Sequence, residues 1–298
     1  MKKMLFLMNP NAGQRKAPRF LTEILSVFQE GGYETTVFMT TGPGSGARIV
    51  EPRAGEYDLI VCAGGDGTLN ETISGVLRSG SGCPVGYIPC GSTNDFAATL
   101  KLSTDVVQAA KDIMMGTDQP YDLGTFNGRY FSYAASFGAF TRVSYTTPQN
   151  MKNLLGHLAY LLGGIQELAQ IRNIAMTVEI DGEVLQGEYI FGAVSNATCV
   201  GGVITLSPRY VDLCDGKFEV MLVRMPRDVA ELGACVLALQ TQEYDSQPIT
   251  FRRASSLTIR QPADVDWTLD GEWAEGAEVV RIENLPQAFR LRHRQELL

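Results

Sequence analysis

The sequence predicts an α/β protein in two parts: an N-terminal domain over residues 1–122 built on a parallel sheet, and a second, mostly antiparallel β domain over 123–288. Three observations carry this. Up to about Asp122, short apolar runs alternate with stretches of helical periodicity, the rhythm of strands joined by crossover helices. Beyond it, strand-like runs flank Asn127-Gly128, Asp181-Gly182 and Asp270-Gly271, dipeptides suited to two-residue hairpin turns. The chain also has 298 residues, 45% hydrophobic and 19% charged, enough to bury a sizeable core and too apolar to stay disordered.

Taken in order, Met4–Met8 reads as a buried strand that ends at the turn-rich Asn9-Pro10-Asn11-Ala12-Gly13. A helix is expected over 18–30, with Phe20, Leu21, Ile24, Leu25, Val27 and Phe28 on one stripe and Gly31-Gly32 as its stop. Strands follow at 35–39, 59–63 and 85–88, with helices at 69–78, 94–100 and 104–115, the last capped by Ser103. In the second part, strands are expected at 121–126, 129–136, 175–180 and 184–191, and helices at 153–172 and 228–240. The stretch Leu154–Leu162 within the first of these is unusually apolar and flanked by Lys152 and Arg172; it reads either as a lipid-entrance helix or as one buried on the β domain. No repeat and no low-complexity segment interrupts the pattern.

Charge narrows the function. The net charge is −8, and neither part carries a basic arm, which argues against broad binding to nucleic-acid phosphates. The six cysteines form no C-x-x-C pair and no metal-ligand spacing with His157 and His293. The apolar start spans only five residues after Met1-Lys2-Lys3, short for a signal-peptide core, and no later run approaches the roughly 20 residues that cross a bilayer. These features predict a soluble, cytoplasmic protein.

The chemistry concentrates in loops at the carboxyl ends of the N-terminal strands, where α/β sheets bind ligands. Gly64-Gly65-Asp66-Gly67-Thr68 follows one strand and precedes a helix. Its glycines let backbone N–H groups approach phosphate oxygens, the helix N-terminus favours anions, and Asp66 suits a divalent cation. The plainer alternative, an ordinary glycine-rich βα turn, is disfavoured by four small or acidic residues in this strand-to-helix setting. Pro89-Cys90-Gly91-Ser92-Thr93-Asn94-Asp95-Phe96 adds hydroxyls, a carboxamide and a carboxylate at a second strand end, and Asn9–Gly13 lies at a third. Gly42-Pro43-Gly44-Ser45-Gly46 lacks full G-x-G-x-x-G spacing and is expected to be a flexible loop that touches nucleotide. No Walker A motif and no H-R-D triplet occurs.

Together, Gly64-Gly65-Asp66-Gly67-Thr68-Leu69-Asn70-Glu71, Pro89-x-Gly91-Ser92-x-Asn94-Asp95-Phe96-Ala97 and Leu269-Asp270-Gly271-Glu272 resemble the bacterial diacylglycerol-kinase-type lipid kinases, related to diacylglycerol, ceramide and sphingosine kinases. The resemblance spans essentially the whole chain. It implies an ATP-binding α/β domain, a β-sandwich-like lipid domain, an active site between them, and a C-terminal segment, 289–298, that returns to the first domain. It implies ATP contacts from Asn9, Pro10, Asn11, Ala12, Gly13, Thr40, Gly64, Gly65, Asp66, Gly67, Thr68, Leu69, Asn70 and Ser92. Asp66 and Asp95 would organise Mg²⁺ and phosphates, and Glu272 would be the base. A second, structural metal would sit on the Asp215 carboxylate with backbone oxygens of Asp212 and Lys217; Asp215-Gly216 otherwise reads as a hairpin turn.

The sequence departs from the family pattern at Gln14, where a lysine is common, so its phosphate contact either passes to Arg15 or Lys16 or is lost. Ser92 keeps the hydroxyl of a frequent threonine, and an arginine often found after Ala97 is missing. The implied partner is a lipid, with peripheral contact at the inner membrane face and no nucleic acid; a homodimer stays open. Two rivals remain: an NAD kinase, which shares the Gly-Gly-Asp-Gly-Thr loop, and a catalytically silent nucleotide sensor. The Leu69-Asn70-Glu71 continuation and Asp270-Gly271-Glu272 favour the lipid kinase over the first. The complete set of candidate carboxylates argues against the second.

Overall fold

The computed structural model describes residues 1–13, 16–138, 172–200, 204–244 and 248–294. The chain forms two compact units, one made of Met1–Asp122 together with the chain from Gln287, the other of Leu123–Pro286.

The first unit is a parallel sheet. Its strands are β1 (Lys2–Met8), β2 (Tyr33–Met39), β3 (Leu59–Gly64), β4 (Val85–Pro89) and the end of β17 (Val279–His293). They run in the order β2-β1-β3-β4-β17, all parallel, with Leu291 opposite Val85 at the last pair. β1 and β3 are buried on both faces, which is why they read as unbroken apolar runs rather than alternating ones. On one face, Met4, Phe6, Leu59 and Val61 pack with Ile24 and Phe28 of α2 (Leu21–Glu30) and with Ala109 and Ile113 of α6 (Val106–Met115). Phe6 and Phe28 meet edge to face at 5.5 Å. α3 (Ser45–Val50) and α4 (Asp66–Ser79) pack against each other, closely enough that a Cβ on Gly75 would lie 2.8 Å from Val50.

Several boundaries differ from expectation for local reasons. The 18–30 helix divides into a short turn, α1 (Lys16–Arg19), and α2. α4 begins at Asp66 rather than Leu69, because extended Gly65 accepts the first helical bonds from the Thr68 and Leu69 N–H groups. The cap of α6 is Asp105, not Ser103: the Asp105 carboxylate accepts from the N–H groups of Val107 and Gln108 at 3.0 and 2.8 Å. The Ser103 hydroxyl instead receives the Asp105 N–H. α5 (Asp95–Thr99) is a single short turn-and-a-half.

The second unit is antiparallel. β7 (Ala134–Gly138), β8 (Ile174–Ile180), β9 (Glu183–Ser195), β12 (Phe218–Arg224), β13 (Ile249–Ala254), β14 (Ser256–Arg260), β15 (Trp267–Leu269) and β16 (Glu272–Ala274) pair with their neighbours in opposite directions. Their inward side chains, including Phe131, Phe137, Tyr189, Phe218 and Trp267, form one core. The three dipeptides close hairpins with both residues at positive φ, as the mirror-image turn requires: Asn127/Gly128 at 47° and 82°, Asp181/Gly182 at 45° and 92°, Asp270/Gly271 at 50° and 80°. The strand expected over 129–136 divides into β6 (Arg129–Phe131) and β7, with Ser132 and Tyr133 between them. The 228–240 helix is present as α7 (Val229–Thr241), capped by Asp228. The expected 153–172 helix, Leu154–Leu162 included, lies outside the described residues except for Arg172, which pairs with Asp264. Among the described residues, no helix is long and apolar enough to cross a membrane.

Candidate nucleotide site and candidate base

Because β1, β3 and β4 are neighbours, the loops at their carboxyl ends lie side by side. The Asn9 N–H donates to the Ala63 carbonyl at 2.9 Å, and Asn9 Nδ2 reaches Thr68 Oγ1 at 3.3 Å. The Cys90 N–H donates to Gly64 O at 2.7 Å. Two glycines are required by this closeness. Gly13, at φ 52°, would place a Cβ 2.2 Å from the Cys90 carbonyl oxygen, and a Cβ on Gly91 would lie 2.6 Å from the Gly65 Cα. Asn11 and Ala12 fold back on Asn9, donating to its Oδ1 and O.

The Asp66 carboxylate ties the second loop to the third. It is 7% exposed and accepts from the N–H groups of Asp95 (3.1 Å) and Phe96 (3.4 Å), the first two residues of α5. Asp95 is itself buried. Asn94, in the left-handed region at φ 54°, grips Gly91 with both amide atoms and receives the Tyr87 hydroxyl at 3.3 Å. Burial first, then the Asp66 charge, raises the Tyr87 phenol well above its ordinary value, so it stays a neutral donor. Burial likewise pushes the Cys62 thiol up to about 12, which leaves it a small hydrophobe rather than a nucleophile.

The other sequence-selected residues divide by exposure. Pro10, Thr40, Gly67 and Asn70 are half-buried on these loops and their flanks, and Ser92 is exposed. The Thr40 N–H is held by Met8 O at 2.9 Å, and Asn70 Oδ1 receives the Ser74 hydroxyl. Leu69 is fully buried, so only its backbone is available to a ligand. Gln14 and Arg15 lie outside the described residues.

The Gly42–Gly46 segment is not the free loop that its composition suggests. Ser45 and Gly46 are buried at the start of α3, and the N–H groups of Gly44 and Gly46 both donate to Glu71. In the sequence Glu71 is only the last residue of a motif; its partners are 25 and 27 residues away, beyond any local pattern.

In the second unit, Glu272 opens β16 and is exposed. Asp270, two residues earlier, is buried and acts on the backbone: its carboxylate accepts from Ser132 N–H (2.6 Å) and hydroxyl (2.8 Å), Tyr133 N–H (2.9 Å) and Ala134 N–H (3.1 Å). This fixes the turn that carries Glu272. In the 212–217 loop, Asp212 Oδ1 receives the Cys214 N–H, Asp215 Oδ1 receives the Lys217 N–H, and Asp215 Oδ2 pairs with Arg253. Arg253 Nε also lies 3.5 Å from Glu219, whose carboxyl burial pushes up to about 8. Among the described residues, no group of three or more His, Cys, Asp or Glu side chains could hold a metal. The donors at both candidate cation positions are oxygens, the chemistry that suits Mg²⁺.

The family model "Diacylglycerol kinase catalytic domain" matches residues 3–126, and "YegS C-terminal NAD kinase beta sandwich-like domain" matches residues 134–293. A protein named diacylglycerol kinase from Bacillus subtilis is 33% identical over 275 residues, covering 92% of this chain and 90% of its own. One of the same name from Staphylococcus carnosus is 33% identical over 275 residues, covering 91% and 89%. A crystal structure described as a putative diacylglycerol kinase from Bacillus anthracis superposes with a TM-score of 0.82 at 25% identity, covering 100% of this chain and 97% of the other. The chain belongs to the diacylglycerol kinase family.

Proposed function

We propose that the protein transfers the γ-phosphoryl group of ATP to the hydroxyl of a lipid alcohol, diacylglycerol or a close relative. One observation supports the nucleotide half of this reading above the others. Three strand-end loops meet at one edge of a parallel sheet, with the Asp66 carboxylate bridging to the backbone of Asp95 and Phe96. The names of the relatives support the lipid half.

In this reading, the Gly64–Thr68 loop at the N-terminus of α4 and the neighbouring Asn9–Gly13 loop line the phosphates, and Thr40, Asn70 and Ser92 contact the rest of the nucleotide. Phosphoryl transfer asks for positioning and charge neutralisation more than for covalent help. Asp66 and Asp95 would hold Mg²⁺, which when bound neutralises phosphate charge. Asp66 already has a second task, because its oxygens organise α5, so the loop that bears Asp95 is set before nucleotide arrives. Glu272 is assigned the proton of the lipid hydroxyl; its exposure leaves the carboxylate accessible to a substrate. A structural Mg²⁺ on Asp215 would have to compete with Arg253. The lipid substrate implies peripheral membrane contact.

Calorimetry with Mg·ATP and Mg·NAD tests the nucleotide assignment. The reading expects ATP to bind and NAD, as phosphoryl acceptor, to yield no phosphorylated product when both are supplied. NADP formation would favour the NAD kinase instead. ATP binding without turnover on any lipid would favour a nucleotide sensor.

A further inference from the structure

Glu71 sits in the second turn of α4, half-buried, and spends both carboxylate oxygens on one backbone segment. Oε1 accepts from the Gly44 N–H at 2.5 Å and Oε2 from the Gly46 N–H at 2.7 Å. Between these two, Ser45 turns its hydroxyl back into the loop. Its oxygen accepts from the N–H groups of Thr41 (3.1 Å) and Gly42 (3.3 Å) and donates to Gly42 O (2.5 Å). The segment starts at Thr40, whose N–H is held by β1 through Met8 O. Gly44, at φ 71°, supplies the left-handed residue that aims the two N–H groups the same way.

Paired glycine N–H groups at the entry to a helix are the usual chemistry for gripping a phosphate. Here the chain's own carboxylate occupies them. The Gly42–Gly46 turn therefore has no such donors to spare at Gly44 and Gly46, and its glycines serve an internal anion. The helix that supplies this anion also carries Asp66, Thr68 and Asn70 on its first turns. One helix thus fixes both the phosphate loop and the β2–α3 loop that carries Thr40.

We propose that Glu71 is a positioning residue for the nucleotide: by holding Gly44 and Gly46 it sets the Thr40–Gly46 loop as one wall of the site and keeps that loop from acting as a phosphate cradle. The proposal rests on the nucleotide reading above and adds to it a residue outside the expected contacts. A carboxylate matches two N–H donors with two acceptor oxygens. Glutamine keeps the shape but turns an NH₂ group toward one of them. Hydrogen bonds to a charged acceptor are worth about 1.5–3 kcal/mol, so the loss corresponds to about ten- to a hundredfold where the contact is coupled to binding.

The test compares wild type, Glu71→Gln and Gly46→Ala. The last attacks the same contact from the other side, because a Cβ on Gly46 would lie 2.7 Å from Glu71 Oε2 while its backbone φ suits alanine. Calorimetry gives the Kd of Mg·ATP, and turnover on diacylglycerol in mixed micelles gives KM for each substrate and kcat; circular dichroism and melting confirm folding. The expected result is an ATP Kd and KM raised about tenfold or more in both variants, with the KM for lipid unchanged. Two folded variants that bind ATP as wild type does overturn the proposal. So does a parallel loss of ATP affinity, lipid KM and melting temperature, the mark of a residue that only supports the scaffold. A wild type that does not bind Mg·ATP overturns the proposed function along with it, which separates the two failures.

Discussion

The Asp66 carboxylate accepts the backbone N–H of Asp95 at 3.1 Å, so two acidic residues 29 positions apart are joined through the main chain. This gives Asp66 a structural task besides the one its motif suggests. Asp66→Ala should weaken Mg·ATP binding at least tenfold and also lower stability by about 1–2 kcal/mol, because the N–H groups of Asp95 and Phe96 lose a charged acceptor. Calorimetry and thermal melts read the two effects separately. An unchanged melting temperature would remove the capping role, and unchanged ATP affinity the phosphate role.

Glu272 is exposed at the start of β16. Glu272→Gln keeps its size but cannot take a proton. It should lower kcat by about two to four orders of magnitude, with ATP affinity and melting temperature nearly unchanged. Near-normal turnover would move the base elsewhere, with Asp95 the next candidate.

Asp270 should behave in the opposite way. Its buried carboxylate receives four hydrogen bonds from Ser132, Tyr133 and Ala134. Asp270→Ala leaves those donors without an acceptor and should cost about 2–4 kcal/mol, seen as a lower denaturant midpoint. A variant as stable as wild type would show that the turn does not depend on this clamp.

Burial holds the His293 imidazole below its ordinary 6.5, where Nε2 meets the Tyr121 hydroxyl at 2.7 Å. A lowered folded pKa means that the unfolded chain binds the proton first, so stability is lost as pH falls from about 6.5 toward the folded value. His293→Gln should therefore narrow the drop in melting temperature between pH 7.5 and pH 5.5. An identical drop in the variant would assign the acid sensitivity to other groups.

Much of this was legible in the sequence. Each hairpin turn could be placed because Asn-Gly and Asp-Gly tolerate two consecutive positive φ values, a demand written into the dipeptide itself. The βα position of Gly64–Thr68 followed from the apolar run before it. What stayed hidden was every role set by a distant partner. Asp66 reaches Asp95, Asp270 reaches back 136 to 138 residues to Ser132–Ala134, and Glu71 reaches Gly44. The cap of α6 is hidden for a smaller reason: Ser103 and Asp105 both suit a helix start, and only geometry decides that Asp105 takes the cap.

Phosphoryl transfer itself can be read directly. Purified protein is given γ-labelled ATP, Mg²⁺ and, in separate reactions, diacylglycerol, monoacylglycerol, sphingosine, undecaprenol and NAD. Label is expected in a lipid phosphate, strongest with diacylglycerol or a close relative, and nearly absent with Glu272→Gln. Label in NAD with every lipid unlabelled would contradict it.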